Sequence, residues 1–161
     1  MTILLALENE LHKKIRYHIG HSASVLRLAQ EMMESGLVSE NVNVIVRFTG
    51  SQTEQPNDGA YTPTIRLKII NYEVEVRYKN SQRHGHSFAL ALLDTISENI
   101  TGYVPDLSPS IGRNTAQNFS FQTGFELISE EFTELTDASQ YVYKQQYKIK
   151  LLLPQGEISP F

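Results

Sequence analysis

Cysteine is missing from all 161 residues. That excludes disulfides, thiol nucleophiles and Cys-ligated zinc or iron–sulfur centres, and it fits a reducing compartment. Long apolar runs are missing too: none approaches the ~20 residues a bilayer span needs. The apolar opening from Ile3 to Leu7 meets Glu8 and Glu10 and has neither the basic n-region nor the cleavage site of a secretory signal. A basic excess is also absent. Lysine and arginine number 14 against 18 acidic residues, a net charge of -4, so tight phosphate binding by the monomer is not expected. Gly-x-Ser-x-Gly elbows, Gly-x-Gly-x-x-Gly turns and phosphate-binding loops do not occur. The expectation is a soluble chain that is not an enzyme and has no catalytic residue, no cofactor and no membrane partner.

What is present is ordinary globular material. Hydrophobic residues make up 40% and charged residues 20%, too apolar for a disordered chain. A compact chain of this length buries roughly two-thirds of the surface that its unfolded form exposes, so it folds without staples. We expect a single domain over residues 1–154, followed by a short tail, 155–161, loosely held or docked on a neighbour.

Periodicity gives the elements. Leu4, Leu7, Leu11 and Ile15 recur at helical spacing from Ile3 to about Ile19, and Gly20 stops the run. Ser22 reads as the N-cap of a second helix, with Val25, Leu26, Ala29, Met32 and Met33 as its stripe and Gly36 at its end. Val42, Val44, Val46 and Phe48 alternate with polar residues as a strand does. Thr49 to Thr62 is polar and rich in turn residues, which predicts an exposed loop. Thr64 to Lys79 predicts a long, central strand, with a change of phase at Ile70–Asn71 that suggests a bulge. Phe88, Leu92, Leu93, Ile96 and Ile100 share a helix face, Gly102 ends that helix, and Tyr103 to Gln117 reads as irregular. The last third predicts a hairpin. Phe119, Phe121, Phe125 and Leu127 line its first arm, with Gly124 as a bulge, and Glu134 to Ser139 turn the chain. Tyr141, Tyr143, Tyr147, Ile149, Leu151 and Leu153 line the return arm, with lysines on the alternate positions. The expected class is α+β in the order α-α-β-β-α-β-β: a mostly antiparallel sheet of about four main strands, with helices packed on one face.

Chemistry-bearing candidates each have a plainer explanation. His84-x-His86 and His18-x-x-His21 lack the i,i+4 spacing and glutamate of a zinc protease, and His84 and His86 flank Gly85 at an ordinary polar junction. Glu130, Glu131 and Glu134 could in principle do acid–base work, yet they sit at a hairpin end where a solvated turn explains them. Tyr141, Tyr143 and Tyr147 between Lys144, Lys148 and Lys150 could stack bases. A half-buried strand needs the same alternation, and outward lysines protect an edge.

The strand Tyr72-Glu-Val-Glu-Val-Arg-Tyr-Lys-Asn leads through Arg83-His-Gly-His into the helix Phe88-Ala-Leu-Ala-Leu-Leu-Asp-Thr-Ile-Ser-Glu-Asn-Ile-Thr-Gly. With the amino-terminal helices and the closing strand Tyr147-Lys-Ile-Lys-Leu-Leu-Leu-Pro, this order of elements resembles the Mu-like minor tail family, whose members look like bacteriophage tail terminators. It covers roughly residues 3–154. The resemblance implies a virion structural protein, assembled in the host cytoplasm, that forms a homohexameric ring capping the tail tube. It also implies contacts with the tail tube protein, with the sheath protein if the tail is contractile, and with neck or connector proteins. DNA passes through such a ring without being read. Candidate interface residues are Gln55, Asn57, Asp58, Arg66, Lys68, Arg77, Glu131 and Glu134. Two other readings stay open: another neck, connector or tail-completion protein, and a metal- or small-molecule-binding protein using His84 and His86.

Overall fold

The computed structural model describes residues 2–20, 24–27, 42–54, 65–79, 85–116, 118–133 and 140–154. Helix α1 (Ile3–Ile19) starts at Thr2, whose side-chain oxygen accepts the Leu5 N–H at 3.3 Å. This cap satisfies one of the orphan donors of the first turn. Ile3, Ala6, Leu7, Leu11, Ile15 and Ile19 recur every three or four residues, and all are buried.

Strand β1 (Ser24–Arg27) runs parallel to β2 (Asn43–Glu54), with Val25 opposite Val44 and Leu26 opposite Ile45. This corrects the second helix expected from Ser22: its first apolar residues are in a strand. Four residues carry too little periodicity to separate helix from strand, and the edge of β2 offers backbone partners that local sequence does not reveal. Ala29, Met32, Met33 and Gly36 lie outside the described residues.

β3 (Ile65–Lys79) and β6 (Gln140–Pro154) are the longest strands. They pair antiparallel without a break, from Ile65 opposite Pro154 to Lys79 opposite Gln140. β2 pairs antiparallel with the other side of β3. β4 (Ser120–Phe121) and β5 (Glu126–Thr133) both pair with the remaining side of β6, so the sheet runs β1-β2-β3-β6 and ends at β4 and β5. Between β3 and β4 lie α2 (Gly85–Ile100) and two short turns of helix, α3 (Ser108–Ile111) and α4 (Arg113–Ala116). The α+β class and the central place of β3 agree with the sequence reading.

Four further expectations change. Thr49 to Glu54 continues strand β2, with Gly50 to Glu54 paired to Asn71 to Leu67, so the first six residues of the expected loop are strand; the rest of it lies outside the described residues. The bulge is on β2, where the register shifts between Phe48 and Gly50, while β3 stays regular. The change of phase at Ile70 arises because Ile69 is buried on one face of the sheet and Ile70, Tyr72, Val74 and Val76 on the other. Finally, the first arm of the hairpin is two strands, and the irregular stretch after Gly102 carries α3 and α4.

α1 and α2 pack on one face of the sheet. There Val44 and Val46 from β2, Ile70, Tyr72, Val74 and Val76 from β3, and Tyr143, Tyr147 and Ile149 from β6 join their buried side chains in one core. Each large apolar side chain so buried contributes roughly 1.5–3 kcal/mol. The Tyr72 hydroxyl donates to the Leu4 carbonyl at 2.9 Å, tying the start of α1 to the sheet. Gly102 ends α2 at φ 84, a conformation that favours glycine. Its N–H donates to the Phe125 carbonyl at 2.7 Å, and the Phe125 N–H donates to Tyr103 at 3.0 Å. A Cβ on Gly124 would lie 2.5 Å from the Gly102 carbonyl oxygen, so this close approach, and not a strand bulge, is why glycine stands at 124.

Candidate functional site

The helices occupy one face of the sheet, and on the opposite face Ile45, Glu73, Glu75 and Val142 are buried as well. The alternation of β3 places Glu73, Glu75 and Arg77 on the opposite face, between Arg47 of β2 and Lys144 and Gln146 of β6. Arg47 Nε lies 2.9 Å from Glu73 and its Nη2 lies 2.8 Å from Glu75; Arg77 Nε approaches Glu75 at 2.7 Å. Gln146 Nε2 donates to Glu73 at 2.8 Å, and Lys144 Nζ stands 3.9 Å away. Glu75 is only 2% exposed. A carboxylate at that depth needs such partners, since an unpaired buried charge costs several kcal/mol. The arrangement fixes charge in place. It offers no free nucleophile or base.

The β5 edge differs. β5 bulges at Ile128, between the register positions of Leu127 and Ser129. Ile128 and Phe132 are both about half exposed, although Phe132 also lies against the Tyr141 and Tyr143 rings at 5.9 and 4.9 Å. Glu130 accepts the Gln145 Nε2 at 3.2 Å, and Gln145, fully buried among apolar residues, also donates to the Leu93 carbonyl and accepts the Tyr147 hydroxyl. An open depression of about 540 Å³ lies where the end of α2 meets the start of β5, lined by Glu98, Gly102, Phe125 and Leu127 among others.

Among the described residues, those singled out from sequence do not converge on one site. Arg77 joins the charge network, whereas Arg66 and Lys68 sit near the other end of β3, roughly 30–36 Å away at about 3.3 Å per residue. Desolvation pulls the Lys68 ammonium below its usual range, helped by the charge of Arg66. Glu131 is exposed on β5 opposite Lys144. Gln55, Asn57, Asp58 and Glu134 lie outside the described residues, as do His21 and His84. His86 Nδ1 contacts the Tyr143 hydroxyl. Among the described residues no group of three or more His, Asp or Glu is placed to hold a metal ion, and no helix is long and apolar enough to cross a membrane.

Sequence reasoning missed Glu73, Glu75, Gln145 and the exposed Phe132. The glutamates had a partial signal, since they alternate with Tyr72, Val74 and Val76 and so share the sheet face opposite the apolar core. Gln145 had one too, standing in phase with the apolar residues of β6.

No protein-family model matches this sequence, and neither does a curated protein. Among solved structures, the fold is similar to a chain in the virion of a native gene transfer agent particle. The TM-score is 0.57 and identity 10%, over 93% of this chain and 98% of that one. The likeness is one of fold, spanning nearly all of both chains. The finer resemblance to Mu-like minor tail proteins rests on the sequence elements alone.

Proposed function

We propose that this chain is a structural subunit of a phage-type virion, and within it a tail terminator: a ring that caps the tail tube and joins it to the neck. The observation that carries this is the near end-to-end likeness of fold to a virion chain. Fold alone does not fix function, but three features fit the role. The fixed charges form a buried ion-pair network instead of a reactive cluster. Among the described residues, most of the exposed large apolar side chains lie on the edge strand β5 (Ile128, Phe132) and on α1 and α2 (Leu5, Tyr17, Leu90). The balance of 14 basic and 18 acidic residues suits a passage through which DNA slides without sticking. In this reading the subunit is a homohexamer, its partners are the tube protein, the sheath protein of a contractile tail and the neck, and its place is the tail or neck of the particle.

The test is to mix the purified chain with tubes assembled from the cognate tube protein and to image them. Rings seated at one tube end support the terminator. Absence from tube ends, with binding to a head-side ring, moves the chain to the connector role.

A further inference from the structure

We propose that copies of this chain associate head to tail, with the β5 edge of one seated on the outer face of α1 of the next. This rests on the ring reading above and names the surfaces that would close it.

β5 is an eight-residue edge strand that pairs with β6. Its bulge at Ile128 and its glutamates work against addition of another strand, the usual devices that keep sheet edges apart. Yet Ile128 and Phe132 remain 51% and 54% exposed, which an edge meant only for solvent would not carry. An acidic, partly apolar rim that refuses a strand calls for a basic, partly apolar surface of another kind. α1 presents one. Opposite its buried stripe it exposes Leu5, Lys13, Arg16 and Tyr17, the last 82% exposed. Lys13, Arg16 and Tyr17, at i, i+3 and i+4, are neighbours on the helix surface, with Leu5 roughly two to three turns nearer its start, and Glu130 and Glu131 of β5 complement Lys13 and Arg16 in charge.

The two surfaces belong to different parts of the fold. α1 packs against β1, β2 and α2, whereas β5 lies beyond β6 at the far end of the sheet. An interface between unlike surfaces is heterologous, and repeated with a closing rotation it makes a ring.

The cysteine-free sequence allows a direct test. Tyr17→Cys and Phe132→Cys are introduced together and, in separate proteins, singly; each is treated with a short bis-maleimide. The pair is expected to give a covalent ladder that ends at the closed ring, and each single variant is expected to stay uncrosslinked. In the second arm, Glu131→Lys is expected to weaken association about tenfold or more, and adding Arg16→Glu to restore it. Crosslinking by Phe132→Cys alone would overturn the proposal, because it reports a two-fold contact of β5 with itself. An oligomeric wild type with no ladder from the double variant would overturn it while leaving the ring intact. A wild type that is monomeric at every concentration, and also in the presence of cognate tail tubes, would remove the ring reading as well.

Discussion

The two faces of the sheet use the same three strands, β2, β3 and β6, and hold themselves together differently. On the helix-covered face, tyrosines, valines and isoleucines interlock with α1 and α2, and the polar groups there, Gln145 and the tyrosine hydroxyls, find partners inside the chain. On the opposite face, Arg47, Glu73, Glu75 and Arg77 interlock by charge. Apolar burial is non-directional and large in sum, whereas buried ion pairs roughly break even against their desolvation and add geometry more than stability. The helix-covered face should therefore govern whether the chain folds. The opposite face should govern the register and spacing of the strands.

The sharpest way to break this comparison is at Tyr147, which is fully buried. Tyr147→Ala should cost about 3–5 kcal/mol, the range for truncating a buried aromatic, read by urea denaturation. An alkaline titration comes next. Burial, aided by the charges of Glu8 and Glu130, pushes the Tyr72 and Tyr147 hydroxyls well above the ordinary tyrosine range. Above about pH 10 the unfolded chain loses these protons while the folded chain keeps them. Their stabilising share is therefore complete below that pH and shrinks as pH rises, by about 1.4 kcal/mol per pH unit for each tyrosine. Tyr72→Phe should flatten that slope by one tyrosine's share. On the charged face, Glu75→Ala should cost about 1–3 kcal/mol, discounted because its arginine partners reach solvent, and the cost should shrink in high salt. The smallest effect is expected at Lys148, 3.7 Å from the part-exposed Glu126: Lys148→Ala should change stability by less than about 0.5 kcal/mol. A Glu75→Ala loss as large as that of Tyr147→Ala would show that the two faces do not divide the work.

Sequence was most informative where a pattern is long. α1, α2, β3 and β6 each carry at least four repeats of their period, and each stands where periodicity places it. It was least informative where pairing is not local. β1 is four residues long and is defined by its partner. Thr49 to Glu54 is polar on both sides and becomes strand through hydrogen bonds to β3. The bulge fell on the wrong strand because Ile69 and Ile70 are buried on opposite faces, which one strand's sequence cannot disclose. The same holds for the charge network. The alternating glutamates are visible in the sequence, but Arg47 meets Glu73 and Glu75 through a register that only the folded sheet sets. Of the candidate interface residues, Arg77 and Glu131 lie on the face opposite the helices, while Arg66 and Lys68 lie near the far end of β3.

The ring itself is tested most directly by the mass of the purified chain in solution, from light scattering across a size-exclusion peak, with negative-stain images of the same fractions. The account predicts a mass six times that of the protomer and closed rings in the images, with that mass lost in Glu131→Lys. A protein that remains a monomer at all concentrations, and also in the presence of cognate tail tubes, would contradict it.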